Sequence, residues 1–360
     1  MFSKRRSGSF LWVWYTGLAL FYAVWALIVF GQGKLDVALE HWPMALAMAF
    51  GSYAAGSTPM GGGTVGFPVL VLLFDMPASL GRDFSFAVQS IGMVSASLYI
   101  LARRQPLAWA MLRGALMGAL VATPAGILLF APLVPDLWVK LAFAILWGSF
   151  GILHLYRLRE ITAHDHTGDP DCPLDFRVGL LLGGLAGFSA VAVTGVGIDM
   201  VIYAALVLLS RVDLKVAIPT SVVIMAFSSV VGVAVKSLAG DWQPDVFGNW
   251  LAAAPVVALG APLGVLVVSL IGRRPTLLVV ALLCVGQFAW TCLAERETLG
   301  VTGTLAAIVA LLLCLAGFEW LRVLGLRREA RRHSRARRAG GPHSESPAGL
   351  PVAGLAMESR

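Results

Sequence analysis

Two apolar stretches, Met44–Phe74 and Gly179–Leu209, are each too long for one membrane crossing and too short for two comfortable ones. Their 31 residues would extend about 46 Å as helix, against a hydrocarbon core of about 30 Å. Glycine interrupts both near the middle, at Gly61-Gly62-Gly63 and at Gly195-Val196-Gly197. Paired breaks at matching places in two halves of a membrane chain indicate a binding site built from discontinuous helices.

Composition assigns the chain to the membrane. Hydrophobic residues make up 58% of its 360 residues and charged residues only 13%, with a mean hydropathy of +0.81. Soluble domains carry about 25% charged residues. The apolar runs have helical length and lack the alternation of barrel strands, which predicts an all-α integral membrane protein. Eight of these runs are expected to be single crossings: Phe10–Phe30, Phe84–Leu101, Leu107–Phe130, Leu137–Tyr156, Leu214–Val235, Phe247–Ile271, Thr276–Leu293 and Val301–Leu321.

Loop charges predict how the two long stretches are threaded. If each crosses once, eight basic loop residues fall on each side of the membrane. If each returns to the side it entered from, twelve fall inside and four outside, which agrees with the positive-inside rule. The four outside are Lys34, Arg82, Lys236 and Arg296. This count favours a return, but it leaves open a re-entrant hairpin or two short crossings, and we expect the hairpin.

The predicted threading makes the two halves inverted-topology repeats, because their hairpins enter from opposite sides and each is followed by three crossings. Both termini are then cytoplasmic. The expected organisation is an N-terminal helix and loop (1–43), a first repeat (44–156), a cytosolic linker (157–178), a second repeat (179–293), a C-terminal helix (294–324) and a basic, disordered cytosolic tail (325–360).

The hairpin tips are the candidate binding site. Glycine lets the backbone approach a ligand, and the helix after each tip offers free N–H groups, so a small anion is expected there. Close helix packing is the alternative use of the glycines. Polar residues of the following helices either line the pathway or bond neighbouring helices. The candidate substrate-binding residues are Thr58, Gly61, Gly62, Gly63, Thr64, Gln89, Ser90, Thr194, Gly195, Gly197, Thr220 and Ser221.

Two charged residues are candidates for coupling or gating. Asp199 follows the second tip inside a membrane segment, where an ionisable group predicts function, and it suggests proton coupling. A helix-capping carboxylate is the alternative. Arg82 lies near the end of the first hairpin and could attract an anion.

Other chemistries find little support in the sequence. The segment from His164 to Cys172 contains histidines and aspartates, but its spacing fits a solvated linker better than a metal site. There is no Walker motif and no convincing catalytic set, so we expect neither cofactor, resident metal nor enzymatic activity. The arginines from Arg322 to Arg338 predict contact with anionic lipid headgroups rather than nucleic acid. The sequence does not predict an oligomeric state.

Residues 44–293 resemble the TauE/SafE sulfite exporter family, whose repeats each open with a glycine-rich apolar motif. The first repeat matches with Gly51, Gly56, Gly61-Gly62-Gly63 and Pro68. The second matches with Gly184, Gly187, Gly195 and Gly197, followed by Lys215, Ala217, Thr220 and Ser221. It departs from the family pattern at Val196, at Asp199 and at Ile202-Tyr203.

The resemblance implies a secondary transporter of sulfite or organosulfonates in the bacterial cytoplasmic membrane, working by alternating access. The alternative is a membrane accessory protein that assists assembly or metal and thiol handling without transport. The direction of transport stays open.

Overall fold

A computed structural model describes residues 10–163, 173–271 and 274–339, and the regular elements of these residues are all helices. The N-terminal Lys4-Arg5-Arg6, the segment from His164 to Cys172 and the tail after residue 339 lie outside the described residues. The helices are α1 (Leu11–Gly31), α2 (Leu35–Glu40), α3 (Trp42–Ser57), α4 (Gly63–Leu73), α5 (Ala78–Ala102), α6 (Trp109–Leu133), α7 (Asp136–Ala163), α8 (Leu174–Thr194), α9 (Ile198–Leu209), α10 (Leu214–Ala239), α11 (Val246–Ile271), α12 (Arg274–Ala294) and α13 (Arg296–Ala339, kinked at Gly300).

Nine of the described helices are long and apolar enough to cross a membrane. Eight correspond to the predicted crossings, which confirms an all-α, multi-pass membrane protein. The ninth is α8, the first arm of the second glycine-broken stretch, with 21 residues. This arm was not among the eight predicted crossings, since its first residues belong to the predicted linker.

Each glycine-broken stretch folds into a helical hairpin. In the first, Gly51 of α3 lies against Val65 of α4 and Met48 lies against Gly66, so α4 runs back along α3. The returning arms α4 and α9 have 11 and 12 residues, or about 17 Å of helix. Because this is well short of a hydrocarbon core of about 30 Å, the arms are too short to cross alone.

The two halves of the chain pack together with their hairpins exchanged. The first arm of each hairpin packs on the second helix after the hairpin of the other half, so that α3 lies on α11 and α8 lies on α6. The other large helix contacts follow the same two-fold pattern. Helix α5 packs on its counterpart α10, and α7 packs on its counterpart α12. The contact of α5 with α11 corresponds to the contact of α10 with α6. The packing therefore has the pattern of a two-fold pseudo-symmetric pair.

Glycines bring these exchanged helices into backbone contact. A Cβ added to Gly56 of α3 would collide with the carbonyl oxygen of Ala261 on α11. In the equivalent pair, a Cβ on Gly118 of α6 would collide with the carbonyl oxygen of Leu180 on α8. Small residues at such seams let membrane helices approach closely, so part of the glycine content serves packing.

We expect Gly56→Ala to destabilise the protein by about 1–3 kcal/mol, because the new methyl group must push α3 away from α11. Thermal unfolding of the purified protein in detergent micelles measures this change. Gly286→Ala is the matched control, since a Cβ there meets open space. Equal unfolding midpoints for the two variants would show that the α3–α11 seam tolerates the added volume.

Candidate functional site

The tips of the two hairpins meet at Asp199. The backbone N–H of Gly61, in the first tip, donates to Asp199 Oδ2 at 2.6 Å. The N–H of Met200 donates to Asp199 Oδ1 at 3.0 Å. Asp199 is fully buried at the start of α9. One carboxylate thus accepts hydrogen bonds from N–H groups of both hairpins. The two tips therefore form one contact region around Asp199, called the junction below.

Gln89 on α5 lies against the same junction. Its Nε2 donates to the carbonyl oxygens of Ser85, at 3.1 Å, and of Gly195 in the second tip, at 3.2 Å. These two acceptors fix the orientation of the amide, because the reversed amide would place oxygen against oxygen. Gln89 Oε1 therefore points the other way, toward Gly61 and Asp199, where it is buried without a hydrogen-bond partner.

The three consecutive glycines of the first tip have different surroundings. A Cβ on Gly61 would collide with Gln89 Oε1 and lie 3.0 Å from Asp199 Oδ2. A Cβ on Gly63 would lie 2.7 Å from Ser85 Oγ and closer still to Val196 of the second tip. Gly62 faces only its own hairpin, with Met48 Cε at 3.2 Å. The first and third glycines therefore make room for the junction, and the second packs within the hairpin.

The second tip needs glycine for its backbone conformation. Gly195 and Gly197 have φ of +78° and +109°, in the left-handed region that favours glycine. Thr194 fastens the turn, because its Oγ1 lies 2.8 Å from the carbonyl oxygen of Ala190 and accepts from the N–H of Val196 at 3.3 Å. The Thr194 hydroxyl is thereby engaged within its own tip.

Trp147 of α7 closes one side of the junction, and sequence analysis missed it. Its Nε1 donates to Thr64 Oγ1 at 2.8 Å, and a Cβ on Gly197 would lie 3.1 Å from its ring. The side chain thus touches both hairpins. Its ring stacks on Phe143, with centroids 4.1 Å apart. The sequence feature that could have indicated this contact is a tryptophan in the middle of a predicted crossing, because a buried indole N–H needs an acceptor.

Four predicted residues bond to nearby backbone instead of facing the junction. Thr58 Oγ1 donates to Ala54 O at 2.7 Å, within the first hairpin. Ser90 Oγ donates to Ala87 O at 2.8 Å, and Ser90 lines a separate cavity of about 490 Å³. Thr220 Oγ1 accepts from the N–H of Ala108 at 3.0 Å, and Ser221 Oγ donates to Ile218 O at 2.8 Å. These hydroxyl groups fasten helices.

Arg82 belongs to a buried ion cluster beside the junction. Its carbonyl oxygen faces Gly195, but its guanidinium pairs with Asp83 at 2.9 Å. Asp83 also pairs with Lys236 of α10 at 3.0 Å, and Lys236 pairs with Asp241 at 2.9 Å. Asp83 and Lys236 are fully buried. The cluster holds the second turn of α5 against the last turn of α10.

A second ion network ties together the opposite helix ends. Arg157, near the end of α7, pairs with Glu319 of α13 at 3.0 Å. Arg211, just after α9, lies 3.8 Å from Glu160. Because α5, α6 and α7 alternate in direction, this network lies at the end of the bundle away from Asp83. Charged contacts thus lie at both ends of the bundle.

The closed junction leaves little free volume. A cavity of about 10 Å³ lies beside Gln89 and Gly62, close to the smallest volume that holds one water molecule. An anion could enter only if the tips separate. No three His, Cys, Asp or Glu side chains in the described part of the chain are grouped as metal ligands.

A family model described as Sulfite exporter TauE/SafE matches residues 44–290, more than half of the chain. The chain belongs to the TauE/SafE family. It is therefore a member of a membrane transporter family, and the matched residues include both hairpins and the junction between them. No curated protein and no solved structure matches the chain significantly.

Proposed function

We propose that this TauE/SafE protein is a secondary transporter of small sulfur-containing anions, sulfite or organosulfonates. It works in the bacterial cytoplasmic membrane, with both termini cytoplasmic. The Gly61 N–H donating to the Asp199 carboxylate is the observation that carries the proposal. A backbone donor at the meeting point of two hairpins already binds an oxyanion group there, so the geometry suits the oxygens of a sulfite or sulfonate.

The exchanged packing supports alternating access. Each hairpin rests on a helix of the other repeat, so a movement of one repeat against the other shifts both tips together. The two ion networks lie at opposite helix ends, where each could open while the other stays closed. The hairpins then act as inverted repeats around one shared site.

Flux into liposomes tests the proposal. We expect the reconstituted protein to carry labelled sulfite or methanesulfonate with saturable kinetics, and to discriminate against acetate of the same charge. Saturable flux would exclude the non-transporting accessory role. Absence of saturable flux for every sulfur anion, from protein that is folded by its thermal unfolding transition, would contradict the transporter proposal.

Cysteine labelling tests the threading. Asp75 and Arg104 are exposed at opposite ends of the α4–α5 segment. In a background with all four native cysteines replaced by serine, we expect Asp75→Cys to react with a membrane-impermeant maleimide added to whole cells, and Arg104→Cys to react only after lysis. The opposite pattern, or labelling of both in intact cells, would contradict the proposed inverted repeats.

A further inference from the structure

Asp199 occupies the donors that the proposed function assigns to the transported anion. Its carboxylate holds the Gly61 N–H of one hairpin and the Met200 N–H at the start of α9. As long as it is ionised and in place, a substrate anion would meet both a filled donor and a like charge. The chain thus carries its own competitor for the site.

Burial without a cation opposes a permanent charge on Asp199, against the two N–H groups that stabilise one. The side chain is fully buried, and it forms no ion pair with any described residue. A buried carboxylate without a cation is costly, and taking up a proton removes that cost.

Gln89 provides a partner for the protonated form. Its Oε1 is a buried acceptor with no donor among the described residues, and it and Asp199 Oδ2 both lie within 3.0 Å of the position that a Cβ on Gly61 would occupy. A carboxyl O–H at Asp199 would supply the missing donor, whereas the ionised carboxylate has none to give. The orphan acceptor therefore fits the neutral acid and not the carboxylate.

We propose that a proton and the substrate anion bind together, and that the switch between Gly61 and Gln89 as partners of Asp199 enforces this. One proton from solution adds to Asp199 Oδ2, and the new O–H donates to Gln89 Oε1. The Gly61 N–H is released and becomes available to the anion. This inference rests on the proposed anion site and adds the coupling ion, with one proton for each anion.

Other titratable groups near Asp199 are already engaged. Among described residues, Tyr203 lies on α9 with Asp199 and is hydrogen-bonded to His154 of α7. Cys284 of α12 lies 3.4 Å from Met60 Sδ. The Arg82–Asp83 pair of α5 is joined to Lys236 of α10. Near the ends of α8 and α10, Asp175 accepts from Ser210, Asp213 accepts from the N–H of Lys215, and the Lys215 side chain is exposed. Asp199 is the group in direct contact with Gly61.

Equilibrium binding of methanesulfonate to the full-length protein in micelles tests the inference, because the probe keeps its charge across the range. Between about pH 5.5 and about pH 8, we expect wild-type affinity to fall with a limiting slope of about tenfold per pH unit, as uptake of one proton requires. Asp199→Asn should bind equally at both ends of the range, since an amide is neutral and still offers a donor to Gln89. Gln89→Leu should weaken binding on the order of tenfold at a given pH, through loss of the acceptor.

Asp175→Asn is the matched control. Asp175 is a buried carboxylate of the same hairpin, near the start of α8 and away from the tip, and this variant should keep the wild-type slope. A wild-type slope in Asp199→Asn, loss of its binding at all pH values, or a wild-type affinity that follows sodium and not pH would each overturn the coupled proton. If the wild type binds neither methanesulfonate nor sulfite at every pH tested, the proposed anion site itself would be contradicted.

Discussion

Replacing Gly61 by alanine should reduce sulfite flux in liposomes at least about tenfold, without a comparable loss of folded protein. The new methyl group would collide with Gln89 Oε1 and lie 3.0 Å from Asp199 Oδ2. Because both neighbours are buried side chains of packed helices, the tip must move away from them. A shift of about 1 Å in a binding group is enough to remove most of the function.

Gly62→Ala is the control that shows whether any side chain added to the first tip reduces flux. Gly62 has ordinary helical angles, with φ of −63° and ψ of −26°, and its nearest neighbour is the flexible end of Met48. We expect a much smaller loss of flux for this variant. Equal losses for Gly61→Ala and Gly62→Ala would mean that the glycines serve hairpin packing alone.

Replacing Lys236 by methionine should destabilise the protein by about 3–5 kcal/mol, which is the largest stability effect we expect from one side chain. Methionine preserves most of the volume but leaves Asp83 fully buried with only Arg82 and the Gln243 N–H as partners. Denaturant unfolding in micelles measures the change in the free energy of unfolding.

The Asp83→Asn/Lys236→Met double variant tests the origin of that loss. Removing the stranded charge should recover part of the stability, because the penalty comes from an unpaired buried carboxylate. Lys140→Met breaks the less buried pair with Glu295, whose side chains are 15% and 18% exposed, and should cost less, about 1 kcal/mol. Equal losses in the free energy of unfolding for Lys236→Met and Lys140→Met would contradict the larger stabilisation that we assign to the Asp83 cluster.

Hydropathy and length were enough to predict the helical fold. Eight crossings follow from apolar runs, whereas length and loop charges predicted only that each glycine-broken stretch returns, and left a hairpin or two short crossings open. The length of α8 escaped prediction, because its first residues, around Asp175 and Arg177, read as part of a charged linker. In the structure Asp175 is buried and hydrogen-bonded to Ser210, so a local partner offsets the polarity.

The site was only partly predictable, for a physical reason. Glycines and Asp199 carry a local signal, because they break or charge an apolar run. Gln89 and Ser90 look alike in sequence, yet they point about 100° apart on α5, and only tertiary packing decides that Gln89 meets the tips. Trp147 reaches the site from a helix more than 80 residues away from Thr64, so no spacing rule could connect them.

The central claim is that the two hairpin tips form one anion site, and the number of sulfite ions bound per chain tests it most directly. We expect wild-type protein to bind one sulfite per chain, and we expect both Gly61→Ala, from the first tip, and Gly195→Ala, from the second, to lose that same ion. Both variants must retain a cooperative unfolding transition for the comparison to hold. Two independent sites per chain, or full sulfite binding by either folded variant, would contradict the claim.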